Sequence, residues 1–85
     1  MTDQDFIDAY IDHFHTKSDD IRIIARYKNV QGYMALIRVY GTFCLFFLDT
    51  MLVSYAITRF SASHTELGVV EKTETIAQII GATKL

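Results

Sequence analysis

The sequence predicts a mainly α-helical protein with a single transmembrane helix and flanking amphipathic helices, and three observations carry that expectation. The first is Val39 to Ile57, nineteen residues whose one charged side chain is Asp49. As a helix they would reach about 28 Å, close to the roughly 30 Å hydrocarbon core of a bilayer. The second and third are helical repeats of apolar residues on either side, over 2–16 and 64–81. A rival reading has nearly equal claim: an α+β protein with a four-stranded antiparallel sheet and a helix at each end.

The 85 residues make one domain, 1–85, with little core to spare. Half are apolar or aromatic (51%) while 21% are charged, and the charges gather toward the two ends. A net charge of -2, with no dense basic run, gives no general attraction to nucleic acid. Cys44 is the single cysteine, which excludes an internal disulfide or a cysteine-based zinc cluster and reads as a small packed hydrophobe. No cofactor or metal is expected. The N-terminus has neither the basic-then-apolar run of a signal peptide nor an Arg-rich presequence, so an internal apolar segment would have to direct the chain to a membrane.

Thr2 to Thr16 reads as a helix. Thr2 is placed to cap it and Asp5 to close a capping box, and Phe6, Ile7, Tyr10, Ile11 and Phe14 form one apolar face. The opposite face carries Asp8 and Asp12, so protein rather than anionic lipid suits the apolar side, with Phe6, Tyr10 and Phe14 as interface residues. Ser18, Asp19 and Asp20 punctuate the chain. Residues 21–28 then divide the reading, since β-branched content favours a strand and the Asp-rich start favours a helix. Asn29 to Gly32 suits a turn, with Gly32 supplying a positive φ if one is needed.

Residues 33–60 form the expected central apolar helix. Arg38 and Arg59 bracket it as headgroup-facing charges, Tyr40 and Tyr55 lie near its ends, and Gly41 with Thr42 offers a small-residue contact for another helix. Arg22, Arg26, Lys28 and Arg38 before the span, against Arg59 and Lys72 after it, place the N-terminal part on a cytoplasmic or matrix side. The soluble rival puts strands near 21–28, 33–40, 42–48 and 51–59. It is strained by Phe43 to Leu48, which are apolar on both faces where a half-wet antiparallel strand should alternate. Covering them needs a layer on each side. The terminal helix over 66–80 is weakened by Gly68 and three threonines, and Gly81 is placed to end it.

Asp49 is the sharpest candidate for chemistry. Within a bilayer it would be an intramembrane polar contact to a neighbouring subunit or a proton-relay group; in water it would be a turn or cap residue. His13 and His15 diverge on a helix, His64 reads as a loop residue, and Ser54 and Ser63 lack the surroundings of a nucleophile. Arg22, Arg26, Lys28 and Arg38, interleaved with Tyr27, Tyr33 and Tyr40, suggest base stacking, but the acidic N-terminal helix works against it. The function expected is a non-catalytic accessory subunit that stabilises a multisubunit complex, such as a respiratory one, in an organellar or bacterial inner membrane. Its partners would be larger membrane subunits and lipid. The rival is a small soluble, cytoplasmic regulatory or inhibitory binding protein, forming a homodimer or seated on a protein target.

Overall fold

A computed structural model describes residues 2–16, 20–51, 53–61 and 64–85. The elements follow the order α1 (Asp3–Phe14), β1 (Ile21–Asn29), β2 (Gly32–Val39), β3 (Thr42–Asp49), β4 (Ser54–Phe60), α2 (Glu66–Ile79) and β5 (Thr83–Lys84). They build a five-stranded antiparallel sheet in the order β4-β3-β2-β1-β5. The expected transmembrane helix is overturned: residues 33–60 are three strands, and no helix among the described residues is long and apolar enough to cross a membrane. The α+β rival fits, with one strand more than it foresaw.

The physical reason lies in the turns. Asn29 Oδ1 accepts from the Gln31 and Gly32 amides at 2.8 and 3.0 Å, closing the Val30–Gln31 hairpin. A Cβ at Gly32 would collide with the Leu48 carbonyl oxygen and lie 2.6 Å from Asp49 Cα, so only glycine lets β2 and β3 approach there. At the next hairpin Tyr40 (φ 49°) and Gly41 (φ 80°) both take left-handed backbone, the two-residue geometry that matches strand twist. Gly41 and Thr42 are thus a turn and a strand start, not a helix-packing surface. These reversals break the apolar run into lengths suited to strands.

Each face of β3 is then covered by a different helix. Cys44, Phe46 and Leu48 join Ala35, Ile37 and Val39 of β2 in a core with Phe6 and Tyr10 of α1. Phe43, Leu45 and Phe47 join Met34 and Leu36 in a second core with Val69 and Ala77 of α2. The layers are helix, sheet, helix, so a strand apolar on both sides is satisfied without lipid.

Both helices start as their sequences specify. The Asp5 amide donates to Thr2 Oγ1 at 3.3 Å and the Thr2 amide donates to the Asp5 carboxylate at 2.6 Å, a reciprocal box. Thr65 caps α2 by accepting from the Gly68 amide at 3.1 Å. Helix α1 ends at Phe14, with His15 in left-handed geometry behind it. Beyond Gly81 (φ 68°) the expected tail instead turns back as β5, pairing Thr83 with Lys28 and Lys84 with Tyr27.

Candidate functional site

The residues named from the sequence separate into three places. Asp49 ends β3, where its Oδ1 accepts from the Met51 and Val53 amides, each at 2.9 Å, and its own amide donates to the Val53 carbonyl at 3.0 Å. It organises the β3–β4 loop from the half-exposed rim, and the intramembrane contact gives way to the turn reading. That loop abuts the β1–β2 turn through the Thr50 amide, which donates to the Gln31 carbonyl at 3.1 Å. Three apolar side chains consequently meet water at one end of the sheet: Val30 at 97% exposure, Met51 at 82% and Val53 at 58%. Tyr55 follows along β4, stacked on Phe47 with ring centroids 5.3 Å apart.

At the opposite end, Tyr10, Phe14, Thr42 and Arg59 come together with Cys44. The Arg59 guanidinium lies 4.1 Å from the centre of the Phe14 ring, and Arg59 is the cross-strand neighbour of Cys44. Tyr10 packs edge-on against Phe46, with centroids 5.8 Å apart. Tyr10, Thr42, Cys44 and Arg59 line a pocket of about 160 Å³. Burial raises the Cys44 thiol above its usual range, opposed by the Arg59 guanidinium. Burial also raises Tyr10, reinforced by Cys44 and opposed by Arg59. A protonated, buried thiol is a poor nucleophile. Arg59, expected at a lipid headgroup, is instead stacked on an aromatic ring.

The third place is absent from any sequence motif. Ser61 Oγ lies 2.8 Å from His64 Nδ1, and His64 Nε2 lies 3.1 Å from Lys72 Nζ. The order resembles a nucleophile, a base and its orienting group, but the third member has the wrong polarity. An ammonium only donates, so Nε2 accepts and a neutral imidazole carries its proton on Nδ1, which then donates to Ser61. His64 cannot take the Ser61 proton in that arrangement.

The basic residues do not share a face. A bulge at Ile24 reverses the alternation of β1, so Arg22 pairs with Arg38 on the α2 side while Arg26 pairs with Ala35 on the α1 side, where it bridges Asp3 at 3.2 Å. Lys28 sits 5.5 Å over Tyr33 on the same α1 side, Tyr40 is in a turn, and Tyr27 is buried. Arg38, also expected at a headgroup, is a half-buried strand residue. His13 packs against the rings of Phe14 and Phe46, and no group of three metal-ligating side chains forms among the described residues. Ser18, Asp19, Ser63 and Leu52 lie outside the described residues. Comparison of the chain with family models, curated proteins and solved structures gives no match.

Proposed function

We propose that this chain is a binding protein without a reaction of its own, assembled as a homodimer through the apolar tip and regulating a protein target by occupying its surface. The observation that carries the reading is the exposure of Val30, Met51 and Val53 on two loops joined by the Thr50–Gln31 hydrogen bond, where full burial of such side chains gains roughly 1.5–3 kcal/mol each. A second copy is the occupant because the exposed side chains of Val30, Met51, Val53 and Tyr55 carry no formal charge, and the carboxylate at their rim, Asp49, is already engaged by the Met51 and Val53 amides. A standard interface takes about 800 Å² from each partner. On a total surface of 5130 Å² that requires the tip and the adjoining part of β4 with Tyr55.

Contact by side chains suits the tip better than strand addition. The edge strand β4 and the strand β1, which β5 covers only at Tyr27 and Lys28, each carry a bulge, at Ile57 and Ile24. A bulge interrupts the row of free amides and carbonyls that strand addition needs. The polarity of the Ser61–His64–Lys72 chain supports the non-catalytic part of the reading.

Sedimentation equilibrium over a concentration series tests the proposal. The expected particle has twice the 9.7 kDa chain mass, and Met51→Glu with Val53→Glu returns it to one chain. Leu67→Glu, an equally exposed apolar site on α2, should leave the dimer intact. A single-chain mass at millimolar concentration, or a dimer indifferent to the double change, refutes the assembly.

A further inference from the structure

The pocket at the other end of the sheet is lined by an exposed cation, Arg59, that forms no ion pair among the described residues. Arg59 is clamped over Phe14 at 4.1 Å, yet the one ion pair among the described residues joins Arg26 to Asp3. A guanidinium offers five donors in a rigid fork; one of those of Arg59 is directed at the Cys44 sulfur, and stacking leaves the others available for in-plane hydrogen bonds. Tyr10, 7% exposed, makes ring contacts with Phe14 and Phe46, and no hydrogen bond of its hydroxyl is found among the described residues. Thr42 has already committed its hydroxyl proton to the Val39 carbonyl at 2.7 Å. The donors left to face the pocket are therefore Arg59 and Tyr10. Their mutual effect on ionisation, together with that of Cys44, places the three polar groups within electrostatic reach of one another.

We propose that this pocket binds a small organic monocarboxylate, its two oxygens forked on the Arg59 guanidinium and hydrogen-bonded by the Tyr10 hydroxyl, its short carbon tail enclosed between α1 and the β3–β4 pair. The planar fork matches a carboxylate, and one cation balances one negative charge. Inorganic phosphate, which carries between one and two charges at neutral pH and presents a tetrahedral set of oxygens, would enter with part of its charge unbalanced and a poorer fit to the planar fork. Size sets the tail: about 160 Å³ compares with roughly 30 Å³ for each water in the liquid, room for a carboxylate and two or three carbons. The pocket lies at the Thr42 and Phe60 end of the sheet, away from the Val30 and Met51 tip, so the proposal stands apart from dimer formation.

Sodium butyrate titrated into ¹⁵N-labelled protein at constant ionic strength, with chloride as the balancing anion, tests the site. The Arg59 Nε–H and the Cys44 and Phe60 amides are expected to shift along a saturating curve, and sodium phosphate to bind at least tenfold more weakly. Arg59→Gln should weaken butyrate at least tenfold and Tyr10→Phe three- to tenfold, while Arg26→Gln leaves it unchanged. A capped Gly-Glu-Gly peptide distinguishes the source of the carboxylate. Comparable saturation by the peptide assigns an acidic side chain of another protein, and saturation by butyrate alone assigns a free acid. Linear shifts, equal binding of phosphate, or butyrate binding undiminished in Arg59→Gln overturns the site. Should Arg59→Gln fail to fold, Tyr10→Phe, which loses one oxygen and no packing volume, decides by the same criterion.

Discussion

Replacing Phe6 by alanine tests the claim that α1 is a structural layer rather than an appendage. Phe6 has no exposed surface and meets Tyr33 edge-on at 6.2 Å, over a core that includes Ala35, Ile37 and Phe46. Truncating a buried phenylalanine costs about 3–5 kcal/mol through lost transfer energy and the cavity left behind. An 85-residue chain at roughly 0.05–0.15 kcal/mol per residue has about 4–13 kcal/mol in all, so this one change removes a large share. Urea unfolding followed by far-ultraviolet circular dichroism and by tyrosine emission gives the loss, with the half-buried neighbour Ile7→Ala as a reference expected near 1 kcal/mol. A loss below about 1 kcal/mol for Phe6→Ala, with an unchanged denaturant slope, would mean that α1 does not seal its face of the sheet.

Three further changes probe the rest of the framework. Gly32→Ala must push apart the β2 and β3 backbones at Leu48 and Asp49, and is expected to cost about 2–3 kcal/mol in the same urea assay. Tyr27 is 2% exposed and its hydroxyl has no hydrogen-bond partner among the described residues, while burial and then Glu74 push its pKa up; Tyr27→Phe should leave stability unchanged or raise it by about 1 kcal/mol. The Thr2 backbone amide, then its hydroxyl, hold Asp5 below the usual carboxylate range, so its contribution is present above the unfolded value near 3.8 and is lost as pH falls through the lower folded value. Melting temperature measured between pH 6 and 2 should accordingly fall less in Asp5→Asn than in the parent; equal slopes would remove the reciprocal cap as the cause.

Local signals survived folding wherever the relevant partners are near in sequence. Thr2 with Asp5, the apolar side of 3–14, Asn29 at the first hairpin and Gly81 after α2 were all legible, because each depends on groups within a few residues. The candidate site was legible in its members and not in its purpose. Tyr10, Phe14, Thr42 and Arg59 were selected for helix packing and headgroup contact, yet Tyr10, Thr42 and Arg59 line one pocket, with Phe14 stacked on Arg59, because β4 sets Arg59 beside Cys44 and α1 crosses above them. Ser61, His64 and Lys72 carry no recognisable spacing, since α2 must form before Lys72 returns to His64. The split of Arg22 from Arg26 was invisible for a different reason: a one-residue bulge inverts every later side chain of β1.

The sequence by itself determined that Phe43 to Leu48 would be withdrawn from water on every side, because six successive apolar residues leave no polar face. It could not determine the material that surrounds them. Lipid around a helix and protein on both sides of a strand remove similar apolar area from water, and the choice between them rests on contacts with Phe6 and Tyr10 before the run and Val69 and Ala77 after it. Only the tertiary structure placed those two helices on opposite faces of one sheet.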